Sequence, residues 1–176
     1  MTTPEQPGPK ATDPYRTQTV PQPAAAGANA PRFQVLRPHA TGSLGEVFVA
    51  HDAELHREVA LKQIQSGHAH DPESRRRFLL EAEITGRLEH PGIVPVYSLG
   101  AHADDRPYYA MRFIRGHSLL AAIDDLHAAL RDGSLDNEEW SLRLRRLLRS
   151  IIVVCQTINY AHGRGVLHRD IKDRKS

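Results

Sequence analysis

Two short stretches of this sequence carry residues suited to holding phosphate groups. The stretch ATGSLGEV, residues 40–47, has glycines at 42 and 45 between two β-like runs. A glycine has no side chain to block a phosphate, so such a hairpin can offer its backbone N–H groups to anionic oxygens. The stretch Val59–Lys62 ends on a lysine that follows apolar residues. Such a lysine ordinarily points to water, but its ammonium could hold phosphate oxygens if it faced the glycine hairpin.

A lysine that binds phosphate needs an acidic residue to position it, and two glutamates qualify. Glu81 and Glu83 lie on the helix predicted after the third strand. Residues two apart project about 200° apart on a helix, so only one of them can face the sheet. The residues alone leave the choice open, and both could be ordinary surface glutamates. The arginines at 75–77 on the same helix are interpreted as a solvated face rather than an anion site.

The last candidate motif is His168-Arg169-Asp170, followed by Lys172. An aspartate there could accept the proton of a hydroxyl group, and the lysine could neutralise charge on a phosphoryl group during transfer. The tripeptide alone is weak. Chance does not explain a glycine hairpin, a strand lysine, a helix glutamate and this tripeptide in one order.

Periodicity and turn signals predict the elements that must position these residues. Five β-like runs indicate an antiparallel sheet, with one helix after the third run and two helices after the fifth. Asp71-Pro72 and Ser118 are predicted helix starts, and Gly133 a helix end. Gly163 and Gly165 are predicted to end the last helix. The predicted strands cover 33–40, 46–52, 58–64, 93–100 and 108–114, and the helices cover 72 to about 88, 118 to about 131, and an apolar stripe from Leu144 to Ile158.

Composition limits the kind of protein and its surroundings. The 176 residues, 40% of them apolar, suffice for one ordinary domain or part of a larger one. A net charge of +2 from intermixed residues gives no field that would attract nucleic acid or anionic lipid. Cys155 is the only cysteine, and no signal peptide or membrane segment is evident, so a cytoplasmic location is expected. Residues 1–32 are proline-rich and are expected to form a disordered tail.

With these motifs in this order, residues 33–172 resemble the protein kinase family, in particular the bacterial eukaryotic-type Ser/Thr kinases. Val59–Lys62 is similar to the family's V-A-I-K, and Glu81 stands ten residues before the proline of HPGIV, as the family's helix glutamate does. The resemblance therefore selects Glu81 over Glu83. It implies an α+β fold: a kinase-like N-lobe and hinge at 33–116, with a five-stranded antiparallel sheet plus one helix, and the first helices of an incomplete helical C-lobe at 117–176.

The resemblance also implies roles for individual residues. The protein would use ATP and Mg²⁺ to phosphorylate Ser or Thr hydroxyls of a protein substrate, since Lys172 matches the Ser/Thr branch. The catalytic residues it implies are Asp170, Lys172, Lys62 and Glu81. The ATP-binding residues it implies are Ala40, which replaces the family's first glycine, with Gly42, Gly45 and Val47 in the hairpin, Ala60 and Lys62 on the third strand, and Met111, Arg112 and Ile114 at the gatekeeper and hinge positions.

The resemblance fails after Lys172. Where the family continues with a proline and then a metal-binding asparagine, this sequence has Asp173 and Lys175. A lysine cannot ligate Mg²⁺, so the expected metal ligands are missing, and the family's D-F-G aspartate does not follow. The expectation is a kinase fragment, truncated after its HRD motif and inactive by itself, whose last helix exposes an apolar patch that invites association. The alternatives are a pseudokinase-like module that binds nucleotide or docks a partner, and a nonfunctional translated fragment.

Overall fold

The computed structural model describes residues 31–169 and residue 171. The predicted tail at 1–32 lies outside these residues except for Pro31 and Arg32. Within the described residues the chain forms five strands, three α-helices and a short 3-10 turn at Ser66–His68. The elements all belong to the unit Arg32–Ser176, and they are β1 (Phe33–Thr41), β2 (Gly45–Asp52), β3 (Arg57–Ile64), α1 (Pro72–Gly86), β4 (Val96–Ala101), β5 (Pro107–Arg112), α2 (Leu119–Arg131) and α3 (Asn137–His162).

The five strands form one antiparallel sheet in the order β1-β2-β3-β5-β4, with α1 inserted between β3 and β4. The predicted α+β fold is therefore confirmed. Lys62 of β3 lies directly opposite Val47 of β2 and Tyr109 of β5. Because direct cross-strand partners project to the same face, these three side chains form a row across the middle of the sheet.

Apolar side chains cover both faces of this sheet. Side chains alternate along β3, so Lys62 and Ile64 project to one face while Val59 and Leu61 project to the other. Phe78 of α1 packs against the face that carries Ile64. The lysine therefore projects toward α1. The second face is covered by a cluster of Phe33, Ala50, Val59, Leu61 and Ala110.

Local capping signals place most of the helix ends. The Asp71 carboxylate accepts a hydrogen bond from the Ser74 N–H at 2.9 Å, and Ser118 Oγ accepts one from the Ala121 N–H at 3.1 Å, as the sequence predicts. Gly133, just past the end of α2, has a φ of 64°, a conformation that glycine adopts without strain.

Other element ends differ from the prediction. α1 ends at Gly86 rather than near Leu88, and β5 ends at Arg112 rather than at Ile114. β4 begins at Val96 rather than at residue 93, because the chain is still turning there and Pro95 has no N–H to give to a neighbouring strand. The start of α3, which the apolar stripe did not locate, is capped by the Asp136 carboxylate.

The interpretation of the arginines at 75–77 as a solvated face is wrong for Arg75. Its guanidinium donates to the carbonyls of Ala69 and Asp105 and pairs with the Asp105 carboxylate at 2.9 Å. The turn between β4 and β5 reaches the start of α1, and Arg75 joins the two. Arg77 is exposed and pairs with Glu73 in the next turn of the helix.

Much of the apolar surface of α3 is exposed, as the sequence predicts. That this surface drives association stays a prediction. None of the three helices in the described part of the chain has the length and apolar character that a membrane crossing needs. The most exposed apolar side chains of α3 are Leu142, Leu148, Ile151, Ile152, Val153 and Val154, each at least 43% exposed.

The Asp52 carboxylate, at the end of β2, is fully buried. Asp52 accepts two hydrogen bonds from the Arg32 guanidinium, at 3.0 and 3.1 Å, and others from the Glu54 and Leu55 N–H groups. Burial by itself would raise the pKa of Asp52, but the hydrogen bonds and charge of Arg32, with the two N–H groups, outweigh it and lower the pKa below 3.8. The pair fixes the segment before β1 against the turn after β2.

Replacing Asp52 with Asn is expected to lower the free energy of unfolding at pH 7 by about 2 kcal/mol, because a charge-assisted pair is lost. The pKa is lowered in the folded state, so this contribution is complete above the ordinary pKa and disappears as the pH falls through the folded-state value. Urea unfolding of both proteins at pH 7 and at about pH 3 measures the difference. Glu54→Gln, at a 63% exposed side chain, is the control. An equal loss at both pH values would contradict the assignment.

Candidate active site

The predicted glycine stretch forms a hairpin whose conformation is held by backbone pairing and by one side chain. The Gly42 N–H donates to the Gly45 carbonyl at 2.9 Å, and Ala40 pairs with Val47 across the two strands. Gln65 also holds the hairpin, because its Nε2 donates to the Gly42 carbonyl at 2.8 Å. Sequence reasoning missed Gln65, since a glutamine just past a strand carries no recognisable signal.

The two glycines differ in their surroundings. A Cβ added at Gly42 would come no closer than 3.6 Å to another atom, an ordinary van der Waals contact, so packing does not require a glycine at this position. A Cβ at Gly45 would lie 3.0 Å from Lys62 Cε and 3.3 Å from the Phe78 ring. Gly45 therefore makes room for the stem of Lys62 beneath the hairpin.

The structure resolves the choice between the two glutamates. Lys62 Nζ lies 2.5 Å from Glu81 Oε1, and the lysine side chain is only 16% exposed. Glu83 lies on another side of α1 and pairs with Arg87 one turn further along. Lys62 and Glu81 thus form an ion pair under the glycine hairpin, as the kinase resemblance implies.

A tyrosine that sequence reasoning missed joins this pair. The Tyr109 hydroxyl donates to the same Glu81 oxygen, Oε1, at 2.8 Å. Burial, followed by the charge of Glu81 and the hydrogen bond to it, raises the pKa of Tyr109 far above its ordinary value, so the hydroxyl stays protonated. Strand alternation could have placed Tyr109 on the lysine face, but no sequence rule predicts its contact with α1.

The predicted adenine-binding positions lie at the end of β5 and on the strands beside it. Ala60 is buried and lies opposite Met111, which packs at the edge of the Phe78 cluster. The Arg112 N–H donates to the Pro95 carbonyl at 3.1 Å, so this N–H is already used. Ile114 is 57% exposed in the segment after β5.

An aromatic contact connects β1 with the segment that follows β5, beside the predicted adenine-binding positions. The Phe113 ring lies 5.3 Å from the His39 ring on β1, and the Arg37 guanidinium lies over it at 5.8 Å. β1, which leads into the glycine hairpin, is thereby joined to the segment after β5. Phe113 lies within the predicted hinge, but its contact with His39 was not predicted from the sequence.

Comparison with known proteins agrees with this geometry. The sequence model of the protein kinase domain family matches residues 33–174. The chain belongs to the protein kinase domain family. The sheet with α1 corresponds to the kinase N-lobe, and α2 and α3 correspond to part of the helical C-lobe.

Relatives of this kinase chain come from several bacteria. It is 38% identical over 141 residues to the serine/threonine-protein kinase PknD of Protochlamydia amoebophila and 39% identical over 142 residues to PknD of Chlamydia muridarum. Each match covers 80% of this chain but only 14% and 15% of the two relatives, respectively. The chain therefore spans about one seventh of the length of these relatives.

Solved kinase structures share the fold. The Mycobacterium tuberculosis PknI kinase domain matches with a TM-score of 0.57 and 29% identity, over 85% of this chain and 55% of the other. The apo form of PpkA-294 matches with the same TM-score at 23% identity, over 83% and 54% of the two chains, and supports the fold alone.

The kinase catalytic-loop residues predicted from the sequence, Asp170 and Lys172, lie outside the described residues, as do Asp173 and Lys175. Among residues 31–169 and 171, no three His, Cys, Asp or Glu side chains come together in a way that could hold a metal ion. That the glycine hairpin and Lys62 bind phosphate, and that the expected Mg²⁺ ligands are missing, stay predictions.

The loop between α1 and β4 joins the two kinase lobes. The Glu89 N–H donates to the Tyr160 hydroxyl of α3 at 3.0 Å, and the His90 and Tyr160 rings lie 4.9 Å apart. His90 Nδ1 accepts from the Gly92 N–H at 3.0 Å and lies 3.4 Å from Thr157 Oγ1. The last two turns of α3 therefore fix the end of the segment that follows α1.

Gly92 is expected to tolerate no side chain at this joint. A Cβ there would lie 2.0 Å from Thr157 Oγ1 and 3.1 Å from Thr157 Cβ. Thr157 Oγ1 donates to the Val153 carbonyl at 2.7 Å, so rotating it away loses that bond. Gly92→Ala is expected to lower the free energy of unfolding by about 1–3 kcal/mol, measured by urea unfolding.

Gly67→Ala is the matched control, because nothing lies within 4 Å of the added Cβ. Adding Thr157→Ala to Gly92→Ala removes the overlapping hydroxyl and should restore most of the loss. If the double variant were as unstable as Gly92→Ala alone, the contact with Thr157 would not be the cause.

Proposed function

We propose that this chain is the nucleotide-binding part of a Ser/Thr protein kinase. The observation that carries the proposal is the Lys62–Glu81 ion pair, 2.5 Å long, held beneath a glycine hairpin on the sheet of a kinase fold. Membership in the kinase family supports ATP as the nucleotide. The whole protein would transfer the γ-phosphoryl group of ATP to a Ser or Thr hydroxyl of a protein substrate.

The glycine hairpin, Lys62 and Glu81 together form what we call the nucleotide cradle, and each has a proposed task. Backbone groups around Gly42 and Gly45 would approach the phosphate oxygens, while the Lys62 ammonium would neutralise part of their charge. Glu81 would keep that ammonium aimed at the phosphates. Val47, Ala60, Met111, Arg112 and Ile114 would enclose the adenine ring, and Ala40 would stand at the first glycine position of the hairpin.

The transfer step itself would depend on Asp170 and Lys172. Asp170 would accept the proton of the substrate hydroxyl, and Lys172 would stabilise charge on the moving phosphoryl group. Lys175 stands where the family places an asparagine that binds Mg²⁺, and a cation there opposes metal binding. We therefore propose that the 176-residue chain binds ATP but that its phosphoryl transfer is negligible.

The lysine at position 175, where the family has a metal-binding asparagine, favours a second candidate function. This candidate is a nucleotide-binding module of the pseudokinase type that docks a partner. The two candidates share the cradle and differ only in the transfer step. In either case we propose that residues 33–116 form the N-lobe with its hinge, that residues 117–176 belong to the C-lobe, and that the protein works in the cytoplasm, where the exposed thiol of Cys155 would stay reduced.

Titration with a fluorescent ATP analogue, with and without Mg²⁺, tests the proposal, together with transfer of labelled phosphate to a generic protein substrate. Glu81→Gln should weaken analogue binding, whereas Glu83→Gln, on the same helix with the same change of charge, should not. Binding with transfer would favour the enzyme, and binding without transfer would favour the module. Absence of binding at millimolar analogue would defeat both.

A further inference from the structure

We infer that Tyr109 is a positioning residue for the Lys62–Glu81 pair: its hydroxyl holds the Glu81 carboxylate, and with it α1, where Glu81 reaches Lys62 before any nucleotide is present. The inference rests on the proposed function, because it assigns Tyr109 a task at the same site. Tyr109 would act through Glu81 and would touch no substrate atom.

The ion pair has limited strength of its own. The Glu81 side chain is 45% exposed, so water screens its attraction to Lys62. Ion pairs with one exposed partner contribute little to holding two elements together. A helix that presents a half-exposed glutamate to the sheet therefore needs a second contact to stay in place.

Tyr109 supplies this second contact from a buried side chain. The residue is 3% exposed, lies in the middle of β5 between two neighbouring strands, and packs its ring against Phe78 with the centroids 5.3 Å apart. Its position is thus set by the sheet rather than by the helix. The hydroxyl donates to Glu81 Oε1, the same oxygen that Lys62 contacts.

The buried Tyr109 hydroxyl also needs the Glu81 carboxylate as its hydrogen-bond partner. A buried hydroxyl without a partner is unfavourable, so moving α1 outward leaves the Tyr109 hydroxyl unsatisfied in the core. Because that penalty falls only on the outward position, it shifts the population of α1 toward the position in which Glu81 meets Lys62.

Tyr109→Phe tests the inference, since it removes the hydroxyl and keeps the ring that packs on Phe78. In nucleotide-free protein, amide hydrogen exchange of peptides covering residues 72–86 is expected to become about three- to tenfold faster, the size of one hydrogen bond. Affinity for a fluorescent ATP analogue should fall by a similar factor.

Tyr108→Phe is the matched control. Tyr108 is the neighbour on the same strand, projects to the opposite face and packs edge-on against Phe33. Removing its hydroxyl should change neither the exchange of α1 nor the affinity for the analogue. An equal effect of both substitutions would overturn the inference.

A double-substitution cycle separates positioning from general stability. In a Glu81→Ala background the Tyr109 hydroxyl has no carboxylate to hold, so adding Tyr109→Phe should cause no further acceleration of α1 exchange. If it accelerates exchange as much as in the unchanged protein, Tyr109 acts on the core and not through Glu81. If the cycle behaves as expected but the unchanged protein binds no ATP analogue, the proposed function fails while the positioning role stands.

Discussion

Replacing Lys62 with Met is expected to lower the affinity for ATP about 10- to 100-fold, the effect of losing a charge-assisted hydrogen bond to phosphate. The fold should survive this change. Glu81, its partner, is 45% exposed and becomes solvated when the ammonium is gone, so no unpaired charge is left buried. Titration with a fluorescent ATP analogue measures the affinity, and thermal unfolding confirms that the variant is folded.

The control for this prediction is Arg76→Met, which removes one positive charge from an exposed position on α1. Its ATP affinity should match that of the unchanged protein, because Arg76 lies two residues before the buried Phe78 and so projects about 200° away from it, into solvent. A Lys62→Met protein that is folded and binds ATP normally would show that the cradle beneath the hairpin does not hold phosphates.

Replacing Phe78 with Ala is expected to lower the free energy of unfolding by about 3–5 kcal/mol, as large-to-small changes in a packed core do. Phe78 has no exposed surface and lies between α1 and the sheet, with its ring 5.3 Å from that of Tyr109 and 5.8 Å from Lys62 Nζ. The substitution should therefore also loosen the helix that carries Glu81. Urea unfolding measures the loss.

Leu80→Ala provides the comparison on the same helix. The Leu80 side chain is 44% exposed, so its removal opens no cavity and should lower stability by no more than about 0.5 kcal/mol. Similar losses for the two variants would mean that α1 is not held to the sheet through Phe78.

Local chemistry explains why much of this fold could be predicted from the sequence. The caps at Asp71 and Ser118 are decided by atoms within three residues, and strand alternation places Lys62 on a definite face. The choice of Glu81 over Glu83 needed more than periodicity, since it depended on spacing shared with a known family. Each of these features depends on the residue types and spacing within a short stretch of the chain.

Three of the missed contacts join residues distant in the sequence. Gln65 with Gly42, Tyr109 with Glu81, and Arg75 with Asp105 are separated by 23, 28 and 30 positions. Each depends on how two elements meet after the sheet has formed, and a polar residue of ordinary type gives no sign of such a partner. The interpretation of Arg75 as solvated was wrong for this reason.

The direct pairing of Lys62 with Tyr109 and Val47 limits how the length of this chain can change. Successive residues of a strand face opposite ways, so deleting one residue inside β5 would turn Tyr108 toward α1 and Tyr109 away from it. Length changes between β4 and β5, in the turn at residues 102–106, leave that pairing intact. In a library of single-residue deletions, we therefore expect variants shortened in the turn to keep the Tyr109–Glu81 contact and variants shortened within β5 to lose it.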